Sequence, residues 1–309
     1  MDVIVLKLPL RKVLVSDMTV DSTPESPSET VGEPCPTPLS TSAVLDEFRV
    51  KAAAWTVSTG GQEWTGRVWG SGPALYFLGG FLGDAEQFAF VTYLLKDDFR
   101  CVMIEHPQKL PAPTAWANSI VAIADELGDD TWMVYATSFG CLPTWQLLAS
   151  FPQRCTKAVV QAGFASWRMA IAERFLSIGA TLWPGRMASL PGREAIARQN
   201  HRSWFPPFDH VRWPFYIENS GQTPVRSLSR RTRWAHRYDL RSLLSHIQQP
   251  ILVIRTEGDG GVLTARQEEL LANLPNACSE KLNTSGQLPH ITHPHRIAKL
   301  ISNFEDPSA

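Results

Sequence analysis

A serine stands at position 138 in the run Tyr135-Ala136-Thr137-Ser138-Phe139-Gly140-Cys141, with small residues, Ala136 and Gly140, two places to either side. A serine hydroxyl attacks acyl carbon effectively when a sharp strand-to-helix turn lifts it into the open, and small flanking residues permit that turn. The pattern is A-x-S-x-G, a variant of G-x-S-x-G in which alanine adds one methyl group. A helix beginning just after Ser138 would aim free N–H groups and a positive dipole end at the same point. Two other stretches could serve this chemistry. Gly79-Gly80 closes the run ALYFLGG, and paired glycines let backbone approach a ligand closely. The N–H of Phe81, with that of Phe139, could then hold an oxyanion. Glu257-Gly258-Asp259 closes the run PILVIRTEGD, and open α/β sheets place functional groups at the C-terminal ends of their strands. Asp259 could orient a histidine there, with Glu257 a nearby rival and helix capping the competing role.

These residues need elements to hold them, and the surrounding texture supplies them. From about residue 48, WTVSTGGQEWTGRVWGSG reads as antiparallel strands broken by glycine turns. Short apolar runs then alternate with stretches of helical spacing. ALYFL, RCVMIEHP, TWMVYAT, KAVVQAGFA, PILVIRTEGD and SEKLNTSG read as strands. DAEQFAFVTYLLK, TAWANSIVAIADELG, FGCLPTWQLLASF, ARQEELLANLP and HRIAKLISNF read as helices. Such alternation implies an α/β fold: a mostly parallel central β-sheet with helices on both faces.

The chain of 309 residues is long enough for a large core, and its formal net charge of −1 sets up no global field toward nucleic acid or membrane. Five scattered cysteines, Cys35, Cys101, Cys141, Cys155 and Cys278, lack paired spacing. They read as free thiols of a reducing compartment rather than a disulfide frame or zinc site. The first seventeen residues carry Lys7, Arg11 and Lys12 and no uncharged run long enough to span a bilayer. The expectation is a cytoplasmic protein without stable membrane insertion, with Met18 an alternative start. Residues 19 to about 44 are rich in Ser, Thr, Pro and Glu, and an expected disordered tail covers 1–47. No metal cluster or phosphate loop is visible, so no cofactor is expected.

On LGGFLGDAEQF, YATSFG, ASFPQRCTKAVVQAG, LLSHIQQPILVIRTEGD and SGQLPHITHPHRIAKLISNF, the chain resembles the α/β-hydrolase superfamily in its cap-bearing branch, over roughly residues 55–304. The resemblance implies Ser138 as nucleophile, Asp259 as triad acid, and Phe81 and Phe139 as oxyanion-hole residues. It also implies a core of residues 48–163 and 241–309 with a helical cap at 164–240. The family's histidine falls on Gln287. Gly79 replaces the usual histidine of the oxyanion turn, and IEHP stands where an Asp-Pro-type turn is common. Neutral glutamine cannot take a proton from serine. His290, three residues on, is the expected substitute base if a helix places positions 287 and 290 on one face; His106, His293 and His295 are lesser candidates.

The 164–240 insertion holds twelve arginines and no lysine against five acidic residues, a local balance of +7, and five of the eleven tryptophans. A basic, aromatic cap could recruit a small-molecule substrate with an apolar body and an anionic group, or be a solvated face. Its RRTRWAHR run could also meet nucleic acid or acidic lipid, but no stacking fold supports it, and nucleic acid is not expected as a partner. The expected activity is hydrolysis of a carboxylic ester or similar acyl bond, weakened by Gln287. Alternatives are a non-catalytic ligand-binding protein and an acyltransferase or haloperoxidase-type enzyme.

Overall fold

The computed structural model describes residues 40–207 and 209–304. Most of the expected tail, with Cys35 and the alternative start at Met18, lies outside the described residues. Eight strands form one sheet: β1 (Ala53–Thr59), β2 (Gln62–Trp69), β3 (Ala74–Leu78), β4 (Arg100–Ile104), β5 (Trp132–Thr137), β6 (Cys155–Gln161), β7 (Ile251–Thr256) and β8 (Ala277–Leu282). Their order is β1-β2-β4-β3-β5-β6-β7-β8. β1 pairs antiparallel with β2, and β2 with β4, while β4, β3, β5, β6, β7 and β8 pair parallel to one another in that order. The β1–β2 hairpin turns on Gly60 and Gly61, at φ +62° and +73°. Both residues of this two-residue loop thus have the positive φ that matches strand twist and favours glycine.

Among the described residues, twelve α-helices complete the fold. Those of the core are α1 (Thr41–Lys51), α2 (Ala89–Leu95), α3 (Pro113–Leu127) and α4 (Cys141–Ser150). An insertion between β6 and β7 contributes α5 (Ile171–Thr181), α6 (Arg193–His201), α7 (Arg212–Gln222) and α8 (Val225–Arg237). The remainder are α9 (Arg241–Leu244), α10 (Gly260–Asn273), α11 (Pro289–Thr292) and α12 (Pro294–Ser302). α3 starts with Pro113 in its first turn and stops at Gly128, left-handed at φ +79°, as expected where proline fits the N-terminus and glycine the C-terminus.

β3 and β5 are buried at every residue, because helices cover both faces, and their runs are therefore apolar without alternation. The pleat divides the core in two. Tyr76, Leu78, Val134 and Ala136 face Trp116 and Trp145, while Phe77, Tyr135 and Met133 face Phe88, Phe90 and Ile297. α1 buries Val44, Leu45 and Phe48 in the second layer, so the tail boundary expected at residue 47 is corrected: folded structure begins earlier. Three apolar residues at helical spacing are enough to dock one short helix, which composition averaged over the tail conceals. The insertion leaves and rejoins the core beside itself: Ser166 bridges Asp239, and the Leu240 N–H donates to the Ala165 carbonyl at 2.9 Å.

Candidate active site

At the C-terminal end of β5 the chain turns sharply into α4, and Ser138 occupies the turn at φ +49°. Positive φ is strained for a residue with a side chain, and such strain persists only where the surroundings impose it. Gly140 is one such constraint. A Cβ there would lie 2.2 Å from the Leu78 carbonyl oxygen, so the chain closes against β3 only with glycine. Ala136, by contrast, is accommodated in the buried interior of β5. Ser138 is half-buried.

Opposite Ser138 runs the turn 79–83, where a Cβ on Gly80 would sit 3.5 Å from that of Ser138. Every carbonyl of this turn accepts a hydrogen bond. His106, just past β4, sends Nε2 to the Gly79 and Gly80 oxygens at 2.9 and 2.8 Å, and its backbone N–H donates to the Gly83 oxygen at 3.2 Å. Arg231 of α8 donates Nη1 to the Phe81 oxygen at 2.7 Å and to the Leu82 oxygen. In a trans peptide the carbonyl and the next N–H point in opposite directions. Holding the Gly80 carbonyl against His106 therefore turns the Phe81 N–H away from His106. The expected oxyanion donor is thus set by an imidazole and a guanidinium that sequence reasoning did not assign to it. IEHP, the departure from the usual turn at this point, was the available signal for His106; nothing in the sequence marks Arg231 among twelve arginines.

His106 is a structural clamp. With Nε2 donating, Nδ1 is unprotonated, buried and without a partner. Burial, helped by the charge of Arg231, pushes its pKa down to about 3. Burial likewise lowers Arg231 to about 10, with Asp84 opposing.

The positions expected to carry an acid and a base, Asp259 and Gln287, sit on the loops after β7 and β8. Asp259 is buried, and its carboxylate accepts the Thr256 N–H at 2.7 Å, the Thr256 hydroxyl at 2.6 Å and Gln267 Nε2 at 3.0 Å. Burial raises its pKa, and these three donors work against the rise. Glu257 accepts the Thr284 N–H at 2.7 Å and so holds the following loop. Gln287 reaches the same region: its Nε2 lies 3.4 Å from the Asp259 backbone carbonyl. Trp204 of the insertion lies against both loops, where a Cβ on Gly258 or Gly286 would meet its ring.

His290 is placed elsewhere. α11 begins at Pro289, so Gln287 precedes the helix and the shared helical face expected for positions 287 and 290 does not form. The imidazole is buried against Phe88, and Nδ1 lies 3.1 Å from Gln161 Oε1. That oxygen also accepts the Tyr135 hydroxyl at 2.9 Å, while Gln161 Nε2 donates to the Gln287 carbonyl at 2.8 Å. His290 therefore donates from Nδ1, and Gln161 ties it to β5, β6 and the β8 loop. Burial lowers its pKa to about 3, far from the value that suits a base at neutral pH. Among the described residues, no hydrogen bond joins an imidazole to Ser138 or to the Asp259 carboxylate. The structure brings Ser138 and the Phe81 and Phe139 turns together, but it does not connect His290 to them.

A cavity of about 410 Å³ lies within the insertion, lined by Leu82, Leu176, Trp183, Met187, Tyr216 and Leu228 among others. It touches the 79–83 turn through Leu82, and Ser138 does not line it. Arg193, the arginine on its wall, donates to the Ile217 carbonyl at 2.7 Å and to the Ser220 hydroxyl. Among the described residues, no group of three or more His, Cys, Asp or Glu side chains could hold a metal ion. Cys101, Cys141, Cys155 and Cys278 are free thiols.

A parallel sheet with a strained serine and a glycine turn at its C-terminal edge defines a hydrolase-type fold. The family profile of the alpha/beta hydrolase fold matches residues 73–294, and the chain belongs to that family. It is 39% identical to the alpha/beta hydrolase domain-containing protein VTE7 of Arabidopsis thaliana over 67 residues, covering 22% of this chain and only 20% of that protein. Among solved structures, the carboxylesterase CesB of Bacillus subtilis superposes with a TM-score of 0.66 at 17% identity, covering 85% of this chain and 94% of its own. The enol-lactonase of Burkholderia xenovorans LB400 does so with a TM-score of 0.63 at 18% identity, covering 81% and 98%. At such identities the likeness is one of fold.

Proposed function

We propose that this protein binds the carbonyl of a carboxylic ester or similar acyl compound at Ser138, as a serine hydrolase does, and hydrolyses it far more slowly than a complete triad would. The observation that carries this reading is Ser138 itself, held at φ +49° opposite the 79–83 turn, with no imidazole among the described residues hydrogen-bonded to it. Ser138 is the nucleophile, and the N–H groups of Phe81 and Phe139 receive the developing oxyanion. Asp259 holds the acid position but spends its carboxylate on Thr256 and Gln267. Gln287 fills the base position without basicity. The hydrogen bonds and low pKa of His290 support a packing role for it, and general-base catalysis is not assigned to it. The insertion acts as a cap, clamped to the oxyanion turn by Arg231 and resting on the β7 and β8 loops through Trp204. Its cavity favours an apolar acyl or alcohol portion, since the wall arginine is already committed to Ile217 and Ser220.

Without a base Ser138 attacks only slowly, since losing the base costs about two millionfold in kcat in a dissected serine protease. The test is a fluorophosphonate probe together with a chromogenic short-chain ester. Slow labelling and slow hydrolysis, both lost in Ser138→Ala, support the reading. Hydrolysis unchanged in Ser138→Ala would overturn it, as would no labelling at saturating probe. Labelling at the rate of a complete triad would show that a base had been missed.

A further inference from the structure

We propose that the face formed by α5 and α8 docks on an anionic lipid surface. α5 is bound to the molecule by little of its own surface: only Ser177 is buried along its length. Its anchor is α8, through the Ser229 hydroxyl donating to the Ser177 carbonyl and lying 2.9 Å from the Thr181 hydroxyl. The outer side of α5 carries an apolar stripe. Ile171, Phe175, Ile178 and Leu182 recur at i, i+4, i+7 and i+11 and are 71%, 70%, 51% and 83% exposed. A single exposed leucine is ordinary, but four large apolar side chains in one row on a helix are not.

The neighbouring helix repeats that spacing in charge. Arg226, Arg230, Arg233 and Arg237 recur at i, i+4, i+7 and i+11 on α8, and all four are exposed. α8 contains no acidic residue, and its other side is buried through Val225, Leu228, Thr232 and Ala235. The one acid of α5, Glu173, accepts the Ala170 N–H at 2.8 Å and caps its own helix. The surface is therefore an apolar ridge beside a row of guanidinium groups. Such a pair matches an interface in which acyl chains lie beneath anionic headgroups. A second copy is the poorer occupant, because a symmetric contact through this face would bring two arginine rows of like charge together. The cavity reinforces the choice: Leu176 and Trp183 line it and are themselves exposed at the same helix, so an apolar chain at the surface has an entrance beside the ridge.

The docking does not depend on turnover at Ser138, and the experiment separates the two. The full chain is sedimented with vesicles of phosphatidylcholine alone, or of equal parts phosphatidylcholine and phosphatidylglycerol, at low and high salt. Binding to the anionic vesicles is expected to exceed that to the neutral ones by at least about tenfold, since each arginine near such a surface contributes about fivefold. High salt should shrink the difference. Phe175→Ser with Leu182→Ser should weaken binding to both vesicles. Arg230→Ser with Arg233→Ser should weaken only the anionic case, and Ser138→Ala should bind like the parent. These side chains are exposed, so the folded state survives their replacement, which circular dichroism verifies. No sedimentation with anionic vesicles at low salt would overturn the proposal, as would binding indifferent to both double variants. Dimerisation in the ultracentrifuge, lost in the Phe175 and Leu182 variant without any vesicle binding, would assign the face to a second copy and also overturn it.

Discussion

Replacing Gln287 by histidine puts the proposed cause of low activity to a direct test. The side chain at 287 already extends to the Asp259 loop, with its amide nitrogen 3.4 Å from the Asp259 backbone carbonyl. An imidazole there would enter the region where the family carries its base. Its benefit depends on Asp259, whose carboxylate is engaged by two donors from Thr256 and one from Gln267. A carboxylate so engaged orients an incoming imidazole poorly. In subtilisin, losing the base costs about two millionfold in kcat, and losing the orienting acid alone costs about thirty thousandfold. A base restored without an engaged acid should recover the quotient, about seventyfold, equivalent to about 2.5 kcal/mol of barrier. The assay is kcat/KM for a chromogenic short-chain ester at neutral pH, with Ser138→Ala as background. Adding Gln267→Ala, which removes one of the two donors on Asp259 Oδ2 and leaves the Thr256 N–H on it, should raise the rate of Gln287→His further. A Gln287→His protein that folds, takes up the fluorophosphonate probe no faster than the parent and gains no esterase rate would refute the reasoning. In that event the absent imidazole is not what limits the site.

Other expectations follow from the packing around the serine. Gly140→Ala should destabilise by about 3 kcal/mol or more, because its Cβ would meet the Leu78 carbonyl oxygen at 2.2 Å; Gly80→Ala, whose Cβ meets the nearest atom at an ordinary 3.5 Å, should be far milder, and urea midpoints compare them. Arg231→Met should cost about 2–4 kcal/mol through two lost charge-assisted bonds to Phe81 and Leu82, and should slow probe labelling more than Arg233→Met, an exposed neighbour. The buried His106 and His290 stay neutral when folded, with pKa values near 3, whereas in the unfolded chain each titrates at about 6.5. Below that value the unfolded state binds protons the folded state refuses, so their contribution is harmless at neutral pH, and stability falls as pH drops toward 3. The slope reaches about 1.4 kcal/mol per pH unit for each histidine. His290→Gln should roughly halve that dependence in urea melts between neutral and mildly acid pH.

Much of this molecule was legible because its signals are local. Alternating apolar runs and helical stretches announce the parallel sheet, and the A-x-S-x-G turn lies where strand becomes helix. Gln287, where the resemblance expects a histidine, is likewise read from a short stretch of sequence. What escaped was set by partners distant in sequence. α1 docks through Val44, Leu45 and Phe48, three residues inside a segment whose average composition argues against structure. His290 sits near Gln287 in sequence, yet α11 starts too late to put the two on one face, and Gln161, 129 residues away, holds its ring.

Residue types and their spacing were enough to establish the fold, and they carry the proposed acyl chemistry and the proposed gap in its triad, because turn sterics, hydrophobic periodicity and proton affinity belong to short stretches of chain. Which groups would fill or fail to fill that gap was a tertiary matter. Asp259 turns to Thr256 and Gln267, His106 and Arg231 clamp the 79–83 turn, and an apolar ridge comes to lie beside a row of arginines. Each outcome depends on which hydrogen-bond partner or surface lies within a few ångströms, and only the folded chain sets that distance.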